Sequence, residues 1–224
     1  MMTWHKERKI YVIKKLVSTV LIAALTLPAF ASGAQAKATP SVTGTSAIVI
    51  DAETGQTLWS KNPNEVREIA SMTKIMAAYV VYDAISAGTI TMDTQVPVSD
   101  WAYRFSHSAV YDNVPFQKDG YYTVSDMLDA FLVYSSCSAG TALAEFLAGS
   151  EEAFAEEMNA TARDLGIEAT FNCSYDEGEM DATNVAKMVY LAIKNHPEML
   201  EVTKKTSFEF DGVTYEASNK LLSG

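Results

Sequence analysis

Residues 71–85 read SMTKIMAAYVVYDAI, and this stretch decides the fold. Apolar or small residues fill nearly every position after Lys74, and no Gly or Pro interrupts the run before Gly88. A helix that is hydrophobic on every face is normally buried in a domain core. The pattern therefore predicts a central buried helix. Ser71 is expected in its first turn, where a hydroxyl can cap free backbone N–H groups.

Ser71 and Lys74 stand three residues apart, so a helix places both side chains on one face. Burial and the positive end of the helix dipole both disfavour a charged amine at this position. An uncharged Lys74 could take the proton of Ser71 and make its hydroxyl a nucleophile. The spacing alone is common by chance, and the alternative is an N-cap serine beside a lysine that reaches the surface.

The N-terminus has the organisation of an export signal. A basic segment at residues 1–15 precedes an apolar run at residues 16–30, which small residues follow. This order is typical of a secretory signal peptide, and Pro28 makes the run a poor membrane span. An uncleaved N-terminal anchor is the alternative. We assign residues 1–36 to a signal peptide and linker and residues 37–224 to the folded domain. The expected location is outside a bacterial cell, or at its wall or membrane.

The charge of the chain excludes several classes of partner. The net charge is −11, and five of the 17 Lys and Arg residues lie in residues 1–15, so the exported part would be more acidic still. Such a surface does not favour binding to nucleic acid or to an anionic membrane. No His, Cys or Asp cluster has metal-ligand spacing, and no glycine-rich phosphate loop occurs, so we expect neither metal nor cofactor. Cys137 and Cys173 could pair after export or remain free.

Strand patterns at both ends of the chain flank a helical middle. Hairpins are predicted over residues 46–60 and over residues 206–216, the second joined by Asp211-Gly212. The segment between residues 89 and 118 is irregular. Helices are predicted to begin near residues 123, 141, 150 and 181. This is an α+β layout, in which an antiparallel sheet holds one buried helix and a helical lobe is inserted at about residues 90–200.

A cluster of small polar residues, SSCSAG, occupies positions 135–140. A hydroxyl on this loop, such as that of Ser135, could pass a proton between Lys74 and a leaving group. The alternative is an interhelical turn that is simply rich in small residues. A Ser-His-Asp triad would need His107 or His196, and neither has a suitable neighbouring set.

Several separate stretches resemble the penicillin-binding D-alanyl-D-alanine carboxypeptidases, in the order that this family has. The stretches are residues 48–55, 71–74, 142–145, 149–154, 158–160 and 219–222. The resemblance covers about residues 44–224 and implies the β-lactamase/transpeptidase-like fold, with an all-helical lobe. It also implies that Ser71 is the nucleophile, Lys74 the general base and Ser135 the proton relay. The implied partners are peptidoglycan stem peptides that end in D-Ala-D-Ala, and β-lactam antibiotics; the oligomeric state stays open.

The sequence departs from the family pattern at two points. Cys137 stands where the family usually has asparagine in its Ser-x-Asn motif, and taking Ser136 as the relay does not restore that amide. A thiol cannot supply the donors and the acceptor of an amide, so substrate positioning and the hold on Lys74 should weaken. The Lys-Thr-Gly motif of the family is absent. We therefore expect a C-terminally truncated chain with an incomplete sheet and poor turnover.

Two other functions fit parts of the pattern. A class A β-lactamase shares the Ser-x-x-Lys tetrad and needs a deacylating glutamate, for which Glu145, Glu168 and Glu177 are candidates by composition. A non-catalytic, exported peptidoglycan-binding relative is favoured by Cys137 and by the missing third motif.

Overall fold

The run that opens the sequence analysis forms the central helix of the protein. In the computed structural model, which describes residues 40–223, helix α1 extends over Thr73–Ser86, and nine of its 14 residues are buried. Apolar side chains surround α1 on every face, so it can be stable only inside a core. The predicted buried helix is therefore confirmed.

The predicted hairpins and the predicted helices of the middle occur in the expected order, and the structure adds short elements between them. All of these elements belong to the unit Val42–Gly224. The helices are α1 (Thr73–Ser86), α2 (Asp100–Ser106), α3 (Val124–Val133), α4 (Cys137–Ala148), α5 (Glu151–Asp164), α6 (Ala182–Asn195) and α7 (Met199–Thr203), with 3-10 turns at Ala70–Met72 and Lys220–Ser223. The strands are β1 (Ala47–Ile50), β2 (Thr57–Lys61), β3 (Arg67–Glu68), β4 (Gln95–Pro97), β5 (Tyr121–Thr123), β6 (Ala169–Phe171), β7 (Gly178–Met180), β8 (Ser207–Phe210) and β9 (Val213–Glu216).

The strands form small antiparallel sheets. Among residues 40–223, β1 pairs with β2, β4 with β5 and β8 with β9, and β7 lies between β3 and β6. Both predicted hairpins are present. The pairs β4–β5 and β6–β7 fall inside the lobe that the resemblance describes as all-helical. Strands of three residues are too short for a periodic pattern to reveal them.

The C-terminal hairpin packs on the helical lobe and does not pair with β1 or β2. The ring of Phe210 stacks on Tyr122 with centroids 4.5 Å apart, and the Tyr122 hydroxyl donates to Asp211 at 2.6 Å. The backbone N–H of Ser218 donates to the carbonyl of Val133 at the end of α3. Aromatic packing therefore decides where this hairpin lies.

One hydrophobic core joins the helices around α1, which contacts α3, α4, α5 and α6. Helix α6 also packs against β1. Side-chain caps fix several helix starts as predicted: Thr123 and Asp126 form a capping box at α3, and Ser150 caps α5. Within the part of the chain that the structure describes, no helix is both long and apolar enough to cross a bilayer. The predicted signal peptide and linker, residues 1–36, lie outside the described residues.

Candidate active site

A strained backbone presents Ser71. The residue lies in the 3-10 turn Ala70–Met72, just before α1, and its side chain is exposed. The prediction that its hydroxyl caps the helix is wrong, because the N-cap residue is Met72 and no side chain caps this end. Ala70 has a left-handed backbone with φ 45°. Such a conformation costs a non-glycine residue about 1 to 3 kcal/mol and is concentrated at functional sites.

Lys74 is buried directly beside that hydroxyl. Its side chain is 3% exposed, and Nζ lies 3.1 Å from Ser71 Oγ, 2.9 Å from the carbonyl oxygen of Tyr175 and 3.5 Å from Cys137 Sγ. The carbonyl can only accept a hydrogen bond, whereas a hydroxyl and a thiol can each donate or accept. In its uncharged form the amine has two N–H groups and one lone pair. It can therefore donate to the carbonyl and the thiol while accepting the proton of Ser71.

No opposite charge competes for this amine. Among the described residues, no carboxylate forms an ion pair with Lys74. The face of the Phe131 ring lies 5.9 Å from Nζ, within the range of a cation–π contact. The hydrogen-bond partners of Lys74 in this part of the chain are therefore a hydroxyl, a thiol and a carbonyl, all of them neutral groups.

The carbonyl that Lys74 contacts belongs to the β6–β7 loop, residues 172–177. The same loop accepts a second hydrogen bond from α1, because Thr73 Oγ1 donates to the carbonyl of Asp176 at 3.0 Å. At the start of β7, a Cβ on Gly178 would collide with Thr73 Oγ1, so glycine is needed for this close approach. The sequence could not predict these two contacts, because every residue type has the same backbone carbonyl acceptor.

Two neighbouring serines of the polar loop between α3 and α4, Ser135 and Ser136, differ in burial and in hydrogen bonding. Ser136 is fully buried, accepts a hydrogen bond from the backbone N–H of Val114 at 3.1 Å and lies 3.1 Å from Ser138 Oγ. Ser135 is half-buried, has a left-handed backbone with φ 74°, and its hydroxyl makes no hydrogen bond within residues 40–223. Ser135 is therefore the hydroxyl available for proton transfer. It is not bonded to Ser71 or Lys74 here, so the relay stays a prediction.

Cys137 joins Ser71 and Lys74 in one cluster. It is the first residue of α4 and is 4% exposed. Burial raises the pKa of its thiol, although the nearby Lys74 acts in the opposite direction. A protonated thiol is a weak hydrogen-bonding group, so Lys74 gains one weak contact where an asparagine would offer a carbonyl acceptor and two N–H donors.

The two cysteines do not pair. Both thiols are free and buried, and Cys173 Sγ accepts a hydrogen bond from the backbone N–H of Glu177 at 3.4 Å. Of the two alternatives that the sequence left open, the structure has the free thiols.

Two concavities flank the serine turn. The first, of about 360 Å³, is lined by Ala70, Asn172 and Gly178 together with four acidic residues: Glu68, Asp176, Glu177 and Glu179. The second, of about 440 Å³, lies between β1, the serine turn and α6, and its lining is mostly apolar, with Ile48, Met72 and Val189 among the residues. Across the described part of the chain, no group of three or more His, Cys, Asp or Glu side chains could hold a metal ion.

Comparison with known families identifies the family to which this chain belongs. A family model described as D-alanyl-D-alanine carboxypeptidase, peptidase family S11, matches residues 33–224. The chain belongs to this family. The resemblance stated from the sequence is therefore confirmed.

Individual relatives carry the same description. The D-alanyl-D-alanine carboxypeptidase DacF of Bacillus subtilis is 36% identical over 163 residues, which cover 70% of this chain and 41% of the relative. DacC of Escherichia coli is 32% identical over 190 residues, which cover 82% of this chain and 48% of the relative. The chain thus spans about half the length of the curated relatives that it matches.

Solved structures confirm the fold. The peptidoglycan synthesis regulatory factor PBP3 of Streptococcus pneumoniae superposes with a TM-score of 0.78 at 35% identity, covering 83% of this chain and 55% of that structure. Penicillin-binding protein 6B of Escherichia coli gives a TM-score of 0.74 at 27% identity, covering 82% of this chain and 61% of that structure. The predicted penicillin-binding, transpeptidase-like fold is therefore confirmed.

Proposed function

We propose that this chain carries the acyl-transfer site of a serine D-alanyl-D-alanine carboxypeptidase. The observation that carries the proposal is the 3.1 Å contact between Ser71 Oγ and the buried Nζ of Lys74. A hydroxyl beside an amine with neutral partners is the arrangement that an activated nucleophile requires. The substrate class is the peptidoglycan stem peptide ending in D-Ala-D-Ala.

The reaction has two half-steps in which Ser71 is acylated and then freed. Ser71 Oγ attacks the carbonyl carbon between the two D-alanines while its proton passes to Lys74. The C–N bond then breaks, the proton moves to the leaving amine, and D-alanine departs. Water attacks the resulting ester, the serine recovers a proton, and the shortened peptide leaves. Two general acid–base transfers are thus assigned to one amine.

Ser135 and Cys137 have supporting roles in this proposal. Ser135 relays the proton from Lys74 to the leaving amine, which its unbonded hydroxyl and its place beside Cys137 allow. Cys137 takes the position of the family asparagine and holds Lys74 through its sulfur at 3.5 Å. A weak sulfur contact replaces a stronger amide contact, so the reaction should be slower than with asparagine.

The same site should react with β-lactams, because the strained lactam carbonyl occupies the place of the peptide carbonyl. Penicillin-binding protein D2 of Listeria monocytogenes, with a TM-score of 0.71 and 26% identity, has been solved in a cefotaxime-bound form; the match covers 82% of this chain and 76% of that structure. We propose that this chain likewise forms a penicilloyl ester on Ser71.

A β-lactamase is not favoured. None of the three glutamates proposed for deacylation hydrogen-bonds to Ser71 or Lys74 within residues 40–223. The carboxylate of Glu145 accepts instead from Ser99 Oγ at 2.6 Å, and Glu168 and Glu177 are exposed. Family membership also points to the carboxypeptidases.

Export through the N-terminal leader is part of the same proposal, with residues 37–224 as the domain that acts outside the cell. Its support is the basic, apolar and small-residue order of residues 1–36. Expression in a bacterium followed by N-terminal mass analysis would test it. A mature chain that begins near residue 32 or 37 is expected, and an intact N-terminus would contradict cleavage.

Intact-mass spectrometry tests the activity. Incubation with benzylpenicillin should add one penicilloyl mass to the wild-type chain and nothing to Ser71→Ala. Lys74→Met, an apolar residue of similar length, should form the adduct about 100-fold or more slowly, because it lacks the general base. Release of D-alanine from a D-Ala-D-Ala peptide measures turnover separately. A wild-type chain with no adduct, but with measurable affinity for that peptide, would support the non-catalytic binding relative instead.

A further inference from the structure

A carboxylate outside the reactive cluster holds the loop that contacts Lys74. Glu151 is the first residue of α5, and its two oxygens accept three hydrogen bonds. The backbone N–H of Ser174 donates at 2.9 Å and its hydroxyl at 3.0 Å, so both donors of this buried residue go to one carboxylate. The third bond comes from Thr141 Oγ1 of α4 at 2.6 Å.

Ser174 immediately precedes the residue whose carbonyl contacts the amine. Two adjacent loop residues therefore connect Glu151 to Lys74. The Glu151 carboxylate holds the backbone N–H of Ser174, and the carbonyl of the next residue, Tyr175, accepts a hydrogen bond from Lys74 Nζ at 2.9 Å. Loops are the most mobile parts of a fold unless side chains tie them to rigid elements. Here the tie runs to the first turn of a 14-residue helix.

Close packing on the other side shows that the loop has little room to move. A Cβ on Gly140 of α4 would stand 2.9 Å from Ser174 Oγ and 2.5 Å from a ring carbon of Phe131. That same ring lies 5.9 Å from Lys74 Nζ. Helix α4 thus meets the loop directly at Gly140, and its next residue, Thr141, bonds to the same carboxylate that holds Ser174.

We infer that Glu151 is a positioning residue for acyl transfer, which acts through Ser174 and Tyr175 to hold Lys74 at the hydroxyl of Ser71. The inference rests on the proposed function for its kinetic consequence, but the anchoring itself is independent of it. Glu151 touches neither Ser71 nor Lys74. Its effect is on geometry, and a misplacement of about 1 Å at a reacting group can cost about 100-fold in rate.

Substitutions at position 151 separate geometry from charge. Glu151→Ala leaves the Ser174 N–H and two hydroxyls without a partner. Glu151→Gln can accept from that N–H with its carbonyl and donate its amide hydrogens to the two hydroxyls, which accept as readily as they donate. We expect Glu151→Gln to acylate at close to the wild-type rate and Glu151→Ala to acylate about 100-fold more slowly.

Asn159→Ala provides the matched control. Asn159 lies on the same helix and makes two hydrogen bonds, both to the backbone of Phe171 in β6, where it accepts from the N–H and donates to the carbonyl. Its removal should lower the melting temperature as Glu151→Ala does, yet leave the rate of labelling by a fluorescent penicillin unchanged. Equal rates for Glu151→Ala and Asn159→Ala, measured where both are folded, would overturn the inference. So would a Glu151→Gln rate as low as that of Glu151→Ala.

A second measurement does not depend on catalysis. Lys74 is shielded by the loop, so its acetylation by acetic anhydride, followed by peptide mass spectrometry, should be faster in Glu151→Ala than in Asn159→Ala. If the wild-type chain forms no penicilloyl adduct, the proposed function fails, and this comparison still decides whether Glu151 anchors the loop. Equal acetylation of Lys74 in the two variants would refute the anchoring.

Discussion

Replacing Cys137 by alanine removes one of the three partners of the reactive amine. Cys137 is 4% exposed, and its sulfur lies 3.5 Å from Lys74 Nζ. Ser71 Oγ and the Tyr175 carbonyl oxygen lie closer to Nζ, at 3.1 and 2.9 Å. The variant therefore keeps Lys74, the proposed general base, and its two shorter contacts. It tests how much of the site depends on the thiol.

Two magnitudes follow from that geometry. Deleting one buried atom of about methyl size should lower the free energy of unfolding by about 1 kcal/mol. Loss of a single weak hydrogen bond from Lys74, worth about 1 kcal/mol, corresponds to an acylation rate about fivefold lower. This is far below the loss expected for Lys74→Met, where the base itself is gone.

Urea unfolding and the rate of fluorescent-penicillin labelling measure the two effects separately. Ile167→Val is the matched control, because it also removes one buried heavy atom, and an isoleucine side chain has no polar atom that could hydrogen-bond to Lys74. It should share the stability loss and keep the labelling rate. A loss above about 100-fold in Cys137→Ala would refute the reasoning, since it would give the thiol a chemical role. Wild-type stability together with a wild-type rate would show that the 3.5 Å contact contributes nothing.

Three further outcomes are expected. Burial, with Glu198 and Asp129 adding to it, raises the pKa of Tyr82 from 10.0 to about 12. The folded state then holds the phenol proton more tightly than the unfolded chain does. Its contribution to the free energy of unfolding is complete below about pH 10 and should fall by about 2 to 3 kcal/mol as the pH rises toward 12. In urea unfolding, Tyr82→Phe should remove this part of the alkaline loss of stability. Gly178→Ala should cost about 1 to 3 kcal/mol and slow acylation, because its Cβ would collide with Thr73 Oγ1. The apolar groove beside the serine turn should bind the dye ANS, and Val189→Glu should weaken that fluorescence.

Each of these outcomes has a direct counter-result. An identical loss of stability at high pH in wild type and Tyr82→Phe would assign the alkaline transition to other groups. Gly44→Ala is the control for Gly178→Ala, since a Cβ at Gly44 would meet its neighbours only at ordinary distances of 3.6 Å and beyond. If both glycine variants behaved alike, close approach at Gly178 would not matter. ANS fluorescence that Val189→Glu leaves unchanged would place the dye elsewhere.

Sequence patterns predicted the elements whose signals are local. The capping box of Thr123 and Asp126 and the turn Asp211-Gly212 depend on residues within a few positions of one another, and both occur as predicted. Helix α4 begins at Cys137, four residues before the predicted start. Small polar residues are weak helix formers, and here burial of residues 137–140 overrides that local preference.

The reactive cluster could be predicted only in part. The paired spacing of Ser71 and Lys74, together with family resemblance, indicated the residues that the structure brings to 3.1 Å. The backbone of Ala70 and Ser135 could not be foreseen, since both have left-handed φ angles that their residue types disfavour. The role of Glu151 was equally hidden, because an acidic residue in the first turn of a helix is explained by the helix dipole alone.

The hold on Lys74 by a main-chain oxygen has a consequence for reading mutational scans of this protein. Every amino acid supplies the same carbonyl, so exchanges at Tyr175 can preserve the 2.9 Å contact whatever side chain replaces the phenol. In a saturation library, losses at position 175 would therefore report the packing of its ring against Phe105 and Tyr111, and not the contact of its carbonyl with Lys74. Loss of that contact would appear one position earlier in the chain and at residue 151, where side chains set the path of the backbone.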